Sequence, residues 1–378
     1  MGGLPSPYLA GSRRTLTDEG LRVGAELVPP QSVILSSRAP IGHLVINEVP
    51  MAFNQGCKGL VPSPAIDTKF AYYFLLANVA LLESLGTGAT FKELSSGKLK
   101  EVLFHFPLLS EQCRLAAILD EAFEGIATAK ASTEKNLQNV RGFFDSLREQ
   151  LLTNFGHGWT EVALADLCEI RHGYAFEGEF FASAGEYVLL TPGNFFEAGG
   201  YRDRGAKQKY FVGPIPSDYV LDEGSLLVAM TEQAAGLLGS SLLVPEGGRF
   251  LHNQRLGLVL HKPGVVWVND FFFHVFNLAR VRREIHASAS GVKVRHTSPS
   301  KIGAVRVCIP NSEAEQRAIA RRLNEAFDAC EQLAGIYERK LAALDELKCS
   351  LLHQAFTGGL SPQNDRSPHG HGLQLCTQ

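Results

Sequence analysis

Residues 107–123 read PLLSEQCRLAAILDEAF, and residues 310–327 read PNSEAEQRAIARRLNEAF. The two stretches share a proline, a Glu-Gln pair and a final Glu-Ala-Phe in the same order. The offset is 203 residues at the proline (310−107) and 204 at the Glu-Gln pair (315−111). An ordered set of landmarks with a slowly changing offset is typical of a duplicated domain, because loop insertions shift positions without changing their order. The repeat is much longer than a solenoid unit of about 20–50 residues.

The duplication continues upstream of both stretches. The shared landmarks there are an Asn-Gln pair, a glycine, a serine and a lysine, at positions 54–55, 88, 95 and 98 and again at 253–254, 291, 298 and 301. Each copy is therefore a globular segment followed by a long helix, and we expect a pseudo-twofold molecule. Such a molecule is suited to a target with two separated halves.

A long helix is predicted at the end of each copy. Ser110 and Ser312 are suitable N-cap residues, and neither 111–155 nor 313–356 contains a proline. Apolar residues recur with a period near 3.5, interrupted in the second helix only by Lys340, which is typical of helices that pack on each other. Two unrelated amphipathic helices on separate cores are the alternative. The residues expected in the helix contact are Leu119, Ile126, Val140, Leu147, Leu323, Leu333, Leu344 and Leu351.

Shorter elements are predicted within the globular segments. Residues 32–37 and 43–46 are expected to form a hairpin of two strands. Apolar residues on one face predict a helix over 70–85, and residues 100–107 are predicted to form a short strand. The segment 159–309 is expected to contain short strands joined by Gly- and Pro-containing turns.

Composition limits the class of protein. The chain has 378 residues, 45% of them hydrophobic and 20% charged, which is ordinary for a soluble protein of two or three domains. A net charge of −3 argues against wholesale neutralisation of a nucleic acid, but it permits DNA binding by local basic clusters. The seven cysteines form no Cys-x-x-Cys motif, so neither a zinc site nor a disulfide framework is predicted. No apolar run approaches the ~18 residues that span a membrane, and a cytoplasmic protein is expected.

A family resemblance lies in several short motifs. VILSSRAPIG at 33–42, NQG at 54–56 and GTGATFKEL at 86–94 closely resemble the specificity subunit of type I restriction-modification systems. The proline and Glu-Gln pair at 107–112 resemble the same family, and RHGYAF at 171–176 resembles the start of one of its target-recognition domains. The order and duplication of these motifs make the resemblance specific, and it covers the chain except for its C-terminal tail.

The resemblance implies an α+β fold with two pseudo-repeated mixed α/β target-recognition domains, separated by two long helices that form an antiparallel coiled coil. The domains are expected at 1–109 and 156–311, the spacer helices at 110–155 and 312–356, and a disordered tail at 357–378. Each domain would read one half of a split double-stranded DNA site. The helices would set the spacing and dock two methyltransferase (M) subunits, and restriction (R) subunits would complete the complex. S-adenosylmethionine, ATP and Mg are expected on the partner subunits, and no cofactor is expected in this chain.

The two copies differ at their beginnings. If Ser32 corresponds to Ser225, the offset is 193, and the counterpart of Trp159 would fall at position −34 (159−193), before Met1. The first target-recognition domain is therefore expected to be incomplete at its N-terminus. The alternative function is accordingly a truncated scaffold, which binds partner subunits through its coiled coil but no longer reads a full DNA site.

No catalytic site is predicted. The sequence has neither the Asn/Asp-Pro-Pro-Tyr/Phe tetrapeptide of adenine methyltransferases nor an HExxH motif. Gly97-Lys98 lacks the upstream glycine and the Ser/Thr of a P-loop. Residues 345–348, DELK, resemble part of a nuclease motif but lie in the middle of the second long helix, where they form a solvated face. We therefore expect a non-catalytic subunit with no metal ligands, and a DNA-modifying enzyme is disfavoured.

Two basic clusters are the predicted DNA-contacting regions of the second segment. Seven basic residues lie within 280–306, and four lie within 201–209. Basic side chains on flexible polar loops suit both phosphate anchoring and hydrogen bonding to base edges. A solvated loop and a charged helix end are the alternatives. The predicted DNA-binding residues, led by the first two, are Lys293, Arg295, His296, Arg202, Arg204, Lys207, Lys209, Arg171, Tyr174, Thr87, Thr90 and Lys92.

Overall fold

A computed structural model describes residues 7–12, 14–24, 26–88, 92–153, 156, 158–232, 236–291 and 293–360. The chain divides into two compact units, Met1–Asn136 with Tyr337–Gln378, and Leu137–Ile336. Each unit contains one globular segment together with a stretch of each long helix. The predicted tail lies outside the described residues from position 361 onward.

A four-stranded sheet organises the first unit. Its strands are β1 (Tyr8–Leu9), β2 (Val33–Ser37), β3 (Ile41–Asn47) and β4 (Cys57–Leu60), in the spatial order β1-β3-β2-β4. β2 and β3 pair antiparallel, which confirms the predicted hairpin. Successive residues of β2 enter two different cores, because side chains alternate between the faces of a strand. β2 is consequently buried along its whole length.

The helices of the first unit are α1 (Asp18–Gly24), α2 (Thr68–Ala77), α3 (Val79–Ser84), α4 (Ser96–Lys100) and the first part of α5 (Leu109–Thr153). The prediction of one helix over 70–85 was wrong, because the chain breaks at Asn78 between α2 and α3. Asn78 has φ −105° and ψ 17°, and its side-chain Nδ2 donates to the Phe74 carbonyl at 2.8 Å. An asparagine that bonds to nearby backbone competes with helix propagation in this way.

The predicted strand at 100–107 was also wrong for the first unit. Lys100 ends helix α4, which Ser95 caps by accepting a hydrogen bond from the Lys98 amide at 3.2 Å. Residues 103–107 are neither helix nor strand. The equivalent residues of the second unit do form a strand, because residues 159–163 lie beside them as a pairing partner. Within the described ranges, no strand takes that place in the first unit.

The second unit has short strands throughout its globular segment. The strands are β5 (Trp159–Ala163), β6 (Cys168–His172), β7 (Phe181–Ala182), β8 (Tyr187–Leu189), β9 (Tyr210–Phe211), β10 (Val220–Leu221), β11 (Leu226–Ala229), β12 (Thr231–Glu232), β13 (Ser241–Leu243), β14 (Phe250–Leu251), β15 (Leu256–His261), β16 (Arg295–His296) and β17 (Arg306–Pro310). They form two sheets, β13-β11-β15-β6 and β10-β14-β8-β9-β7, and the pairs β12-β16 and β17-β5. The helices are α6 (Leu164–Leu167), α7 (Asn269–Phe276), α8 (Ala279–Ser288), α9 (Pro299–Gly303) and the first part of α10 (Glu313–Phe356). Short 3-10 turns occupy Gly178–Phe180, Pro192–Asn194, Gly205–Lys207 and Ser217–Tyr219.

The central strand of the second unit repeats the burial of β2. Leu226 and Val228 of β11 enter one core, and Leu227 and Ala229 enter another. The first of these cores also contains aromatic side chains of α7 and apolar side chains of both long helices. The duplicated landmarks therefore mark duplicated packing, in which a strand lies between two cores.

The two long helices contact each other in an antiparallel arrangement. In the first unit, Lys130 of α5 forms an ion pair with Asp345 of α10 at 2.7 Å. In the second unit, the rings of Phe144 and Phe327 lie 5.3 Å apart. Residue numbers therefore rise along α5 while they fall along α10. This confirms the predicted antiparallel pair of helices.

Along each long helix, the buried stripe moves by one residue relative to the predicted heptad pattern. On α5 the buried positions pass from Thr133 to Phe144, and on α10 they pass from Leu323 to Ala334. Both steps are eleven residues (144−133 and 334−323), or about 3.67 residues per turn over three turns. The predicted heptad pattern has about 3.5 residues per turn, so the two patterns separate along the helix. Lys340, which interrupted the predicted stripe, is exposed.

The predicted helix-contact residues are consequently buried to different degrees. Leu333 is 38% exposed, and its neighbour Ala334 takes the buried position instead. The predicted stripe is therefore displaced at this point. Fully or nearly fully buried are Leu119, Ile126 and Leu323, and half-buried are Val140, Leu147, Leu344 and Leu351.

Candidate nucleic-acid interface

Two loops occupy equivalent positions in the two units. In the first unit, Thr87 and Glu93 exchange backbone hydrogen bonds of 3.0 and 2.9 Å. In the second unit, Ser290 and His296 do the same at 3.0 and 2.8 Å. Both offsets are 203 (290−87 and 296−93). We refer to residues 87–93 as the first loop and to residues 290–296 as the second loop; positions 89–91 and 292 lie outside the described residues.

Each loop is followed by the same attachment to the neighbouring sheet. The Leu94 amide donates to the Ser37 carbonyl at 2.8 Å, and the Thr297 amide donates to the Met230 carbonyl at 3.0 Å. At the start of the second loop, Gly291 has φ +102°, and a Cβ there would lie 2.1 Å from the Val294 carbonyl oxygen. Only glycine fits this position. The landmark glycine of the duplication therefore marks the turn of a loop.

The first loop carries exposed polar candidates. Thr87 and Lys92 are exposed, whereas the predicted residue Thr90 lies outside the described part of the chain. Arg38, which was not predicted, forms a backbone bridge with Glu93 at the end of the loop. Its position at the end of a buried strand gave no functional signal in the sequence. The structure thus adds one arginine to the predicted surface of the first unit.

The second loop carries three predicted residues in different environments. Lys293 and His296 are exposed. Arg295 is half-buried, with Nη1 3.7 Å from Glu232 Oε1 and Nη2 donating to the His286 carbonyl at 2.6 Å. Burial lowers the pKa of His286, and the nearby Glu232 carboxylate opposes that shift. Glu232 was missed because nothing in the sequence links it to a loop some sixty positions later (295−232 = 63).

Much of the predicted basic cluster at 280–306 makes internal contacts. Arg282 donates to the carbonyls of Glu197 at 2.8 Å, Leu238 at 3.0 Å and Gly236. Burial lowers its pKa to about 10. Arg282 therefore stabilises the fold of the second unit and offers few donors to a ligand.

Two other arginines of this cluster lie beside acidic side chains. Arg280 Nη1 lies 3.4 Å from Glu284 Oε1, and Arg306 Nε lies 3.5 Å from Glu161 Oε1. These partners reduce the positive charge that the arginines present. The exposed cations of this cluster that have no acidic partner among the described residues are Arg283 on α8 and Lys293 on the second loop.

The second predicted cluster, residues 201–209, is an ordered loop with its cations outside. Buried Gln208 holds it through Oε1, which accepts from Asn194 Nδ2 at 2.9 Å and from the Arg204 amide at 3.3 Å. The Arg204 guanidinium packs against Gly193, where a Cβ would lie 3.0 Å away. The exposed candidates of this loop are Arg202, Lys207 and Lys209. The Arg202 guanidinium lies 6.0 Å from the centre of the Phe196 ring, and Lys209 Nζ lies 5.4 Å from the centre of the Phe181 ring.

Contacts of Glu232 and of residues 236–240 link this basic loop with the second loop. Glu232 Oε2 accepts hydrogen bonds from the amides of Gly236 and Leu238 at 3.1 and 2.9 Å. Ser240, just beyond, donates to the Phe196 carbonyl at 2.7 Å. Arg295 contacts this segment at Glu232, and Arg202 is linked to it through Phe196. The structure brings these two predicted clusters into one contact network.

Arg171 and Tyr174 belong to a different part of the second unit. Arg171 Nη2 donates to the Asp218 carbonyl at 3.2 Å. The Tyr174 ring lies 5.1 Å from Phe176 and 5.2 Å from Tyr219. Both predicted residues thus flank the 217–219 turn, and their described contacts do not reach Arg295 or Arg202.

A buried glutamine ties the first long helix to its globular segment. Gln112 Nε2 donates to the carbonyls of Ala65 at 3.0 Å and Pro107 at 2.9 Å. Its Oε1 accepts from the Asp67 amide at 2.9 Å. One side chain thereby joins the helix start to the segment that leads into α2.

The second copy repeats this arrangement bond for bond. Gln316 Nε2 donates to the carbonyls of Val266 and Pro310, both at 3.2 Å, and its Oε1 accepts from the Val268 amide at 3.1 Å. Gln112 and Gln316 are both fully buried. The duplicated Glu-Gln landmark therefore marks the attachment of a globular segment to its helix.

The described residues contain neither a metal centre nor a membrane-spanning helix. No group of three or more His, Cys, Asp or Glu side chains in the described ranges is arranged to hold a metal ion. No helix in that part of the chain combines the length and the apolar character that a membrane crossing requires.

Known proteins resemble this chain at the levels of sequence and fold. A family profile described as "Type I restriction modification DNA specificity domain" matches residues 7–138 and 156–338. The type I restriction enzyme MjaIX specificity subunit of Methanocaldococcus jannaschii is 28% identical over 183 residues, which are 44% of this chain and 42% of that protein. The putative type I restriction enzyme MjaX specificity subunit of the same organism is 25% identical over 117 residues, which are 31% of this chain and 27% of that protein. The matched part is thus less than half the length of each relative.

Two solved structures share the fold. A chain described under "Structural basis underlying complex assembly and conformational transition of the type I R-M system" has a TM-score of 0.73 at 13% identity, and the match covers 89% of this chain and 84% of that one. The HsdS subunit from Thermoanaerobacter tengcongensis has a TM-score of 0.57 at 14% identity, covering 88% and 82%. At these identities the likeness establishes the architecture of two repeated domains and long helices.

Proposed function

Because the chain belongs to the family of type I restriction-modification DNA specificity domains, we propose that it reads a bipartite site in double-stranded DNA, one half with each globular segment. The observation that carries this proposal is the duplicated loop. Thr87–Glu93 and Ser290–His296 are closed by the same backbone bonds, and the amide that follows each loop donates to the chain at the end of the equivalent strand, at Ser37 or Met230. Two equivalent loops on two equivalent supports suit two half-sites.

The chemistry of the second unit supports DNA as the ligand. Lys293, Lys207 and Arg202 are exposed cations. Cations of this kind neutralise phosphates and anchor a protein on the duplex, whereas polar groups on adjacent loops reach base edges. Arg171 and Tyr174 remain predictions for a second contact region. In the first unit, Thr87 and Lys92 would contact the other half-site.

We further propose that the helices position two methyltransferase (M) subunits, and that restriction (R) subunits join them. An apolar groove along α5 and α10 in the second unit supports partner docking. It is lined by Val140, Phe143, Ala329, Cys330 and Leu333. Phe143 is 59% exposed, which is unusual for a phenylalanine on a helix that has a partner. S-adenosylmethionine, ATP and Mg would bind those subunits in the cytoplasm, and this chain would contribute no catalytic group.

The test is the DNA motif that the assembled complex methylates. The chain would be expressed with the M subunits of its own system in a host that lacks the modification, and methylated positions would be mapped on the host genome. The expected result is a motif with two defined halves and a fixed spacer. Exchange of residues 159–310 for a homologous domain should change one half only. A motif with a single half would favour the scaffold alternative, and a changed spacer with unchanged halves would contradict the proposed role of the helices.

A further inference from the structure

Glu232 presents a carboxylate that is buried beside the second loop. The residue is 3% exposed. Its Oε2 accepts hydrogen bonds from the amides of Gly236 and Leu238 at 3.1 and 2.9 Å, which fixes the orientation of the group. Its other oxygen, Oε1, is also buried and has no hydrogen-bond donor among the described residues. A buried carboxylate is costly unless a cation lies close to it.

Arg295 supplies that cation from within the second loop. Its Nη1 lies 3.7 Å from Glu232 Oε1, and the two residues are also paired through the backbone of β12 and β16. On its other side, Arg295 donates through Nη2 to the His286 carbonyl at 2.6 Å, and Nη1 lies 3.3 Å from His286 Nδ1. His286 is in the last turn of α8, where the helix dipole favours a cation. The guanidinium is therefore held from two directions, yet its side chain remains 37% exposed.

The described residues of the first loop show no such arrangement. With the offsets of 193 and 203, Glu232 corresponds to Ala39 (232−39) and Arg295 corresponds to Lys92 (295−92). An alanine provides no carboxylate. Lys92 is exposed and forms no ion pair with the described residues. Lysine presents a mobile point charge, whereas arginine presents a planar fork that can pair with two acceptors at once.

We propose that Glu232 is a positioning residue that orients Arg295 to read a guanine in the second half-site, and that the first loop makes only a phosphate contact at the equivalent position. This inference rests on the proposed function. A guanidinium held in place before binding loses less conformational freedom on contact with DNA. Bidentate pairing of arginine with the O6 and N7 acceptors of guanine is the commonest specific contact in the major groove. Its contacts with His286 use two donor groups of Arg295 and leave others for a base edge.

The experiment compares base preference among variants of the assembled complex. The complex with M subunits would be purified, and its binding measured to duplexes that carry each of the four bases at every position of the second half-site. We expect wild-type protein to prefer guanine at one position by about tenfold or more. Glu232→Gln keeps the shape of the side chain and removes its charge. It should reduce that preference at least about fivefold while it leaves the first half-site within about twofold.

Arg295→Lys provides a second measurement. It leaves a cation beside Glu232, so the fold is retained, but it removes the planar fork. The same loss of guanine preference is expected, and Glu232→Gln should add nothing in the double variant, because both residues act through one contact. Arg249→Ala, at an exposed arginine of the same unit outside both basic clusters, is the matched control and should keep the preference. Lys92→Ala should weaken binding about equally for all sequences.

The outcomes separate this inference from the proposed function. Retention of guanine preference within about twofold in an assembled Glu232→Gln complex would overturn the positioning role, and retention in Arg295→Lys would overturn the reading of guanine by Arg295. If Glu232→Gln does not assemble, the result for Arg295→Lys decides alone. A wild-type complex with no base preference in the second half-site would instead overturn the proposed function, and the inference with it. A structural role for Glu232 would lower stability without changing base preference.

Discussion

Replacement of Gln316 by methionine tests the attachment of the second globular segment to its helix. Methionine has nearly the same length and shape as glutamine but lacks the amide. The change removes three hydrogen bonds, to Val266, Val268 and Pro310, of which those to Val268 and Pro310 are buried and that to Val266 is partly buried. Each lost bond costs about 1 kcal/mol net, and a buried group without a partner costs up to about 3 kcal/mol. We therefore expect the variant to lose about 3–5 kcal/mol of unfolding free energy.

Two measurements check this expectation. Urea denaturation reports the loss of unfolding free energy, and amide hydrogen exchange at Val268 reports local opening, since that amide donates to Gln316 Oε1. Gln332→Met, at an exposed glutamine of the same helix, is the control and should change stability by less than about 0.5 kcal/mol. Gln112→Met should reproduce the effect in the first unit. A loss of under about 1 kcal/mol, with unchanged exchange at Val268, would refute the role assigned to this side chain.

Two further predictions concern the helix contact and the buried histidines. Ala334→Asp should lower the free energy of unfolding by about 3 kcal/mol, because it buries a charge. Leu333→Asp, at a 38% exposed position, should lower it by less than about 1 kcal/mol. Equal shifts of the melting temperature for the two variants would contradict the displaced stripe. Burial lowers the pKa of His252 and of His274 to about 4. Because the unfolded chain takes up these protons at higher pH, stability should be complete above about pH 6.5 and fall towards pH 4, by up to ~1.4 kcal/mol per pH unit for each histidine. His274→Gln should reduce this slope in unfolding measurements between pH 7 and 5, and an unchanged slope would contradict the assignment.

The sequence allowed the fold to be predicted where a local pattern coincided with the tertiary structure. The hairpin of β2 and β3 was found because two apolar runs flank a turn. The Glu-Gln landmarks were found as a repeat, but the three bonds that each glutamine makes depend on two carbonyls and one amide, up to fifty positions away (316−266). The break at Asn78 was missed because the flanking residues keep an apolar face on both sides of it.

The candidate site was predictable only in part. Basic residue type identified the loops at 201–209 and 290–296, but it could not distinguish Arg282, which bonds to three carbonyls, from exposed Lys293. Glu232 and Arg38 were missed because each lies beside a candidate loop only through a backbone bridge to a residue distant in sequence. The shift from Leu333 to Ala334 arises from the difference between 3.5 and 3.6 residues per turn, which becomes visible only over several turns.

The way in which the two loops are closed has an evolutionary consequence. Thr87 pairs with Glu93, and Ser290 with His296, through backbone groups that every residue except proline possesses. Apart from the turn glycine and Arg295, which lies beside buried Glu232, closure of the loops therefore places little demand on the identity of their described side chains. Under the proposed function, lineages of this protein could exchange those side chains one at a time, and so acquire new targets, while they inherit the same framework.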